Sequence, residues 1–549
     1  MTRRAGVDVL VAGAGPVGVV LARLLGAAGV RVLLIDREPG VMRIPRAIAL
    51  DDDGGRVLQA VGEYARLRQG MPRIERVRMI SPRVGDLFSY DANCWRNANP
   101  MLLMFRQPEL EDALREGLAA LPSVTLRSET TLESFTAGSD GIEATLSAGG
   151  RRERVHARYL VGCDGARSTV RKLLGVEMLG STYEKDWLVV DVRHDPTPNR
   201  EVHFLCDPQR PGVTMPAPGG GRRWEFMLGD DDDRATITAP ATLERLLAPW
   251  GDVARMDVER AAVYTFHARV AERLQQGRVF LAGDAAHLTP PFAGQGLMAG
   301  LRDVHNLAWK LAAVLRGSAG ESLLATYEEE RLPNAKTMVR MAQLMGEIIM
   351  ARDPARCVFR DQVLRRAGKL PGLRALLSSL EVKPRTAIPR GLVSGRHPLR
   401  AWRRGAAQPG DLLPQTTLAL PGGATTLLDD HVGYRWALVG IGCDPSRFLR
   451  RDQQAGWSRL GVCVALDEPQ ARDALRDLEQ TLVAAYDSGT CLIARPDRHL
   501  YAVVPADALE RTIDGLARRL GAAGDVTHAG PSGSTPVAAP QPATEHGHA

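Results

Sequence analysis

The chain has 549 residues, several times what one hydrophobic core uses, so its length excludes a single small module and points to roughly three or four domain-sized units. Hydrophobic residues make up 44% and charged residues 24%, ordinary globular usage that excludes a largely disordered or collagen-like chain. The net charge of +6 comes mainly from arginines spread along the chain. Without basic tracts or interleaved aromatics, no nucleic-acid partner is expected.

The seven cysteines form no C-x-x-C pair and have no histidine at zinc spacing, so a reduced, cytoplasmic compartment and no metal centre are expected. Arg3 and Arg4 precede an apolar run from Val7 to Ala22 that imitates a signal peptide. Gly13, Gly15, Pro16 and Gly18 interrupt that run and Arg23 ends it, short of the roughly 20 residues of a membrane span. No targeting or membrane segment is expected.

In chain order, residues 7–12 (VDVLVA) predict a buried strand, 16–28 a helix of small residues and 30–35 (VRVLLI) a second strand. Such a βαβ unit requires a parallel sheet. Residues 71–105 lack helical periodicity and read as irregular strands. Gln107-Pro108-Glu109 then opens a helix with Leu110, Leu114 and Leu118 on one face. Short strands are expected around 124–127, 141–147 and 155–162.

Between 186 and 228, the segments WLVVDV, EVHFL and RRWEFML, broken by Pro/Gly-rich turns, predict an antiparallel sheet. A strand at 278–282 and a helix from about 296 to 315 return to the first style, with Leu301, Val304, Ala308 and Leu311 on one face. Helices continue to about 350. After residue 410 a new α/β pattern begins, with WALVGIG, VCVAL, a helix near 469–485, CLIARP and LYAVVP. Residues 525–549 offer no apolar face and are expected to be disordered.

Gly13-Ala14-Gly15-Pro16-Val17-Gly18 fits G-x-G-x-x-G between a strand and a helix, where glycines permit a tight turn and let a pyrophosphate approach the helix N-terminus. Asp36 ends the second strand, placed for a ribose hydroxyl. This motif alone does not choose FAD over NAD. Two further segments follow strands: Cys163-Asp164-Gly165-Ala166-Arg167-Ser168, and Gly283-Asp284-Ala285-Ala286-His287 continuing through Pro291, Gly294, Gln295 and Gly296.

With these three motifs in order, the chain resembles the single-component flavoprotein aromatic hydroxylases, the class of para-hydroxybenzoate hydroxylase and phenol hydroxylase. The stretch Pro45-Arg46-Ala47-Ile48-Ala49-Leu50-Asp51-Asp52, with LAWKLAAVLRG, CDPQRPG, RRWEFML and RPDRHLYA, is similar to the branch that hydroxylates 3-(3-hydroxyphenyl)propionate. The resemblance implies an α/β fold: a Rossmann-like FAD-binding domain with an inserted antiparallel substrate sheet and a C-terminal thioredoxin-like domain. The expected boundaries are 1–180 and 271–350 for the two parts of the FAD domain, with strands near 71–105 reaching the substrate side. The substrate sheet is expected at 181–270, a helical linker at 351–405, the C-terminal domain at 406–524 and the tail at 525–549.

The resemblance further implies that the segment from Gly283 and Asp284 to Pro291, Gly294, Gln295 and Gly296 meets the ribityl, pyrophosphate and flavin of FAD. Asp164 and Gly165 would serve FAD and the nicotinamide co-substrate, NADH or NADPH, while Arg46 and Gln107 match flavin contacts. The expected reaction is ortho-hydroxylation of a phenol by O2 through a flavin C4a-hydroperoxide. Asp51 aligns with a carboxylate near the substrate hydroxyl and could take the phenol proton. Asp52 could do so instead, and capping of the helix beginning near Gly54 explains the same residues.

His287 reads equally well as a structural histidine. Met298 departs from the family, which usually has Asn there; Met fills space but donates no hydrogen bond. Hydroxylation of another phenolic or polyketide ring, an NAD-dependent dehydrogenase, and a flavin protein without oxygenase activity stay open as alternatives. The absence of C-x-x-C argues against dithiol chemistry in the C-terminal domain, leaving packing or homodimerisation as its use.

Overall fold

The computed structural model describes residues 6–44, 46–195, 198–370, 386–395, 406–468 and 474–521. Pro45, parts of the 351–405 linker and the 525–549 tail lie outside the described residues.

The N-terminal motif forms strand Val7–Ala12, helix Pro16–Ala27 and strand Val32–Ile35. The two strands pair in parallel, Val9 opposite Val32, and their apolar runs are buried because helices cover a parallel sheet. The same sheet continues outward through Val124–Arg127 on one side and Arg151–Gly162 and Val279–Leu281 on the other, all parallel to the first strand. A hairpin of Thr130–Ala137 and Ile142–Ala148 extends it antiparallel. The chain therefore returns to its first sheet after more than a hundred residues, with Leu160 opposite Val279.

Between those passages lies a seven-stranded sheet in the order 258–264, 187–192, 221–227, 212–217, 201–205, 76–81, 85–91. Most of its pairs are antiparallel. The exception is Glu201–Leu205, which runs parallel to Arg76–Ser81 because the latter arrives from the earlier part of the chain. Ala49–Asp51 pairs with Leu102–Met104 as a separate two-stranded ribbon that borders the space between the two sheets.

The C-terminal unit is a four-stranded sheet in the order 461–466, 436–441, 490–494, 500–505. Its first two strands in sequence are parallel and linked by helix Arg451–Leu460; the last two are antiparallel and followed by helix Leu509–Leu520. The helix expected near 469–485 is absent from the described residues 474–485, which form strand Arg476–Asp477 and turns. The reason is a buried acceptor. The Asp477 carboxylate takes the Leu482 and Val483 N–H groups at 2.7 and 3.2 Å, satisfying locally the amides that a helix would pair along its axis.

Helix Gly296–Leu315 is the hub of the molecule. Its apolar side packs on helix Pro16–Ala27, but its polar side is buried too, holding Arg302, Asp303, His305, Asn306 and Lys310. Charges so placed are tolerable only when paired. Lys310 meets Glu330 of helix Ser322–Ile349 at 2.7 Å, and Glu330 also takes Arg495 of the C-terminal unit at 2.8 Å. Asn306 donates to Asp497 at 2.9 Å, and Arg56 crosses to Asp429 at 2.7 Å. The C-terminal unit is thus clamped to the first sheet's helices by buried ion pairs.

His305 stacks on Tyr434 across this seam, ring centroids 5.1 Å apart. Burial holds His305 down at about 3, helped by Arg498, His499 and Arg56 and opposed by Asp497. The unfolded chain takes up this proton near 6.5, so between those values unfolding binds protons and stability is lost as pH falls below about 6.5. His305→Phe is expected to flatten the fall of unfolding free energy between pH 7 and 5 by up to about 1.4 kcal/mol per pH unit. Thermal melts across that range check it, and an unchanged slope contradicts it.

Candidate active site

A cavity of about 350 Å³ opens between the first sheet and the seven-stranded sheet, within the range of small-molecule sites. Its first wall is made of loop–helix junctions. Gly15 caps helix Pro16–Ala27, and Gly294, Gln295 and Gly296 lead into helix Gly296–Leu315. Helix starts carry free N–H groups and a positive dipole end, which suit anionic and polar ligand atoms. A Cβ built on Gly15 or Gly296 would meet nothing within 4 Å, so both positions face open space.

Gly13 and Gly18 do not line the cavity but shape it. Gly13 has φ +101°, and a Cβ on Gly18 would lie 1.9 Å from the Gly13 carbonyl oxygen, so the turn closes only with glycine there. Asp36 holds the turn from the second strand, its carboxylate accepting from Ala14 N–H at 2.6 Å. Gly283, φ +62°, backs onto Val17 and donates to Asp303 at 3.1 Å. Asp164 likewise stays in its loop, accepting from Thr169 and Val170 N–H at 2.7 and 3.1 Å, while its neighbour Gly165 reaches the cavity.

Asp284 is exposed into the cavity. Desolvation by the surrounding protein raises its pKa, with Arg46 and His287 opposing. Arg46 and Pro291 also line the space, as does Gln107, whose side-chain oxygen accepts from Ala47 N–H at 2.7 Å and so fixes the loop carrying Arg46. Thr289 Oγ1, buried on the same wall, has no hydrogen-bond partner among the described residues.

Asp51 lines the cavity and caps helix Asp52–Ala60, accepting from Gly54 N–H at 2.8 Å. Its second oxygen takes Arg302 at 2.9 Å and Gln295 at 3.3 Å, and Arg302 also donates to the Gln295 side-chain oxygen. Asp52 and Asp53 turn away from the cavity, toward Asn97 at 3.0 Å and Thr386 at 3.2 Å. His287 is structural: fully buried, it bonds Asp303 at 2.7 Å, and Asp303 bonds Arg331 at 2.9 Å. Met298 is buried with its sulfur against Gly54, below the Asp51 cap, so the substitution for Asn fills core space.

The opposite wall is apolar, built from Val77, Tyr90, Val202, Phe204, Val213 and Met215. Two charged groups on it escaped the sequence reading, Arg223 and Glu225. Their i, i+2 spacing in GRRWEFM puts both on one face of a strand buried along its whole length, a signal legible once the strand is known to be covered on both sides. Arg223 pairs with Asp191 at 2.6 Å and donates to the Arg46 carbonyl at 2.8 Å. Burial raises the Glu225 pKa, opposed by Arg223 at 3.9 Å.

Residues 6–342 match the family model described as FAD binding domain, and residues 410–519 match the HcaD C-terminal domain. The chain is 34% identical over 525 residues to the 3-(3-hydroxy-phenyl)propionate/3-hydroxycinnamic acid hydroxylase 2 of Burkholderia vietnamiensis (strain G4 / LMG 22486), covering 91% of this chain and 94% of that one. Among solved structures, a ternary complex of aklavinone-11 hydroxylase with FAD and aklavinone superposes with a TM-score of 0.73 at 26% identity, covering 95% of this chain and 99% of that one. The flavin-dependent monooxygenase PieE in complex with FAD and substrate reaches a TM-score of 0.79 at 22% identity over 95% of this chain and 100% of its own, which shows the shared fold.

The residues present fit FAD: two open helix starts, the empty space at Gly15 and Gly296 and the unpartnered Thr289 hydroxyl all lie on one wall. No helix among the described residues is long and apolar enough to cross a membrane. With the family model matched over more than half of its length, the chain belongs to the FAD-binding-domain family and is an FAD-dependent aromatic hydroxylase.

Proposed function

We propose that the protein hydroxylates 3-(3-hydroxyphenyl)propionate or 3-hydroxycinnamate ortho to the phenol hydroxyl, giving a catechol. One observation carries this reading: a single cavity joins a glycine-rich, helix-start wall to an apolar strand wall, so a flat ring can lie against a bound flavin. The named activity of the Burkholderia relative supplies the substrate. When bound, FAD accepts hydride from NADH or NADPH and activates O2.

In this reading Gly15 and the start of helix Pro16–Ala27 hold the pyrophosphate, on a turn that Gly13 and Gly18 allow to close, and Asp36 holds the ribose. Asp284 accepts from the ribityl chain, and Pro291, Gly294, Gln295 and Gly296 border the flavin ring with Arg46 and Gln107. The apolar strands exclude water from the ring. Asp51 takes the phenol proton at its cavity-facing carboxylate, held in place by Gly54 N–H, Gln295 and Arg302; the phenolate so formed is the better nucleophile toward an electrophilic oxygen. Residues 181–270 serve as the substrate sheet. The C-terminal unit is thioredoxin-like, a reading supported by its βαβ–ββα order, and the unlinked cysteines support a cytoplasmic enzyme.

Oxygen uptake with NADH, followed by product mass, tests the proposal: one added oxygen on 3-(3-hydroxyphenyl)propionate is expected, and no such gain on it or its cinnamate analogue overturns it. Gly15→Val enters open space with an extended backbone, φ −70° and ψ 179°, so the apoprotein should stay folded, losing no more than about 1 kcal/mol at the helix cap, while flavin affinity falls at least about tenfold, or about 1.4 kcal/mol. Unchanged flavin binding would remove Gly15 from the site. Asp51→Asn keeps a cap acceptor and should cut the hydroxylation rate by about a hundredfold or more with flavin binding retained. Equal loss of both, or no loss, makes Asp51 structural.

A further inference from the structure

Two buried sulfurs lie together in the C-terminal unit although 48 residues separate them: Cys443 Sγ and Cys491 Sγ are 4.0 Å apart. The lack of a C-x-x-C argued against dithiol chemistry, yet here the sheet makes the pair. Cys491 sits in strand Thr490–Ala494 directly opposite Gly440 of strand Trp436–Ile441. Beyond Ile441 the chain turns at Gly442, φ +58°, and Cys443 folds back over Gly440. A Cβ at position 440 would lie 2.3 Å from the Cys443 carbonyl oxygen and 3.1 Å from its sulfur, so glycine is what lets the loop bring the two thiols together.

The loop is held in place by the backbone. Gly442 N–H donates to the Leu466 carbonyl and Gly489 N–H to the Ile441 carbonyl, both at 2.8 Å. Cys443 retains 8% exposure, and Cys491 has none. The two are chemically unequal. The hydrogen bond from Cys491 lowers the Cys443 pKa against the effect of burial, and the same contact, with burial, raises that of Cys491. Cys443, the member of the pair with some exposure, is the thiol a small oxidant reaches first, and the fully buried Cys491 beside it is the thiol that resolves.

We propose that Cys443 and Cys491 form a peroxide-reactive dithiol that closes to a disulfide. The Cys443 thiolate attacks one oxygen of hydrogen peroxide, the O–O bond breaks, and the leaving hydroxide takes up the thiol proton as water, leaving a sulfenic acid on Cys443. The Cys491 sulfur then attacks the Cys443 sulfur; the S–S bond forms, the S–OH bond breaks and a second water departs with the Cys491 proton. Two thiols lose two electrons and two protons while one peroxide becomes two waters. Closing from 4.0 Å to a bonded sulfur pair needs a movement of about 2 Å. The source of peroxide rests on the proposed oxygenase activity, where oxygen reduced without transfer to a ring leaves as hydrogen peroxide.

The experiment uses the flavin-loaded full chain and added hydrogen peroxide, so its outcome is independent of whether the enzyme hydroxylates anything. Non-reducing peptide mapping by mass spectrometry should find a Cys443–Cys491 linked pair and a loss of two free thiols per chain, both reversed by dithiothreitol. In Cys491→Ser, Cys443 should stop at a sulfenic acid trapped by dimedone; in Cys443→Ser, Cys491 should stay unmodified. Cys463 is exposed, so the map is repeated in Cys463→Ser. A linkage through Cys463, or a Cys443 and Cys491 both unmodified at peroxide levels that oxidise Cys463, overturns the proposal, and the map of the unsubstituted chain decides it even if a variant fails to fold.

Discussion

The structure depends on burying the polar flank of helix Gly296–Leu315 without leaving a charge unpaired. That helix begins at the cavity, so its N-terminus must stay open, while further along it carries Arg302, Asp303, His305, Asn306 and Lys310 into the interior. An isolated charge in such surroundings costs several kcal/mol. Each is met by a partner from another part of the chain: Asp51, Arg331, Tyr434, Asp497 and Glu330. The partners come from the first sheet's helices and the C-terminal unit alike, and that distribution makes one body of segments far apart in sequence.

The same constraint reaches the site. Arg302 is the point where the buried flank touches the cavity, because it binds both Asp51 and Gln295. Asp51 is thereby fixed from two sides, by its own helix and by the hub helix. The loop Gly294–Gly296 is fixed through Gln295, so the groups bordering the cavity are held by packed elements rather than by mobile loops. On the facing wall, Arg223 ties the seven-stranded sheet to the Arg46 carbonyl, linking the two walls directly.

Much of the fold was legible from residue patterns. The apolar runs and glycine spacing at 7–35 report a parallel βαβ unit because glycine and Pro16 leave few other conformations, and the amphipathic stripe after Gly296 marks a long helix. Three kinds of feature were not legible. The buried ion pairs of that helix look like a solvated face in sequence, since polarity is the same whether the partner is water or Glu330. The turns at 474–485 depend on Asp477, whose capping of Leu482 and Val483 is a tertiary choice. Arg223 and Glu225 needed the knowledge that their strand is covered. In the site, the three glycine motifs signalled a nucleotide wall, but nothing local distinguishes Asp164, spent within its own loop, from Gly165, which reaches the cavity.

The glycine-rich, helix-start wall and the apolar strand wall face one another across one cavity. Titrating the flavin-loaded protein with 3-(3-hydroxyphenyl)propionate while recording the flavin absorption spectrum tests this most directly. A saturable, one-site perturbation of the flavin bands is the predicted result. Binding of the phenol detected by calorimetry with an unmoved flavin spectrum would contradict it, because the ring would then lie away from the flavin.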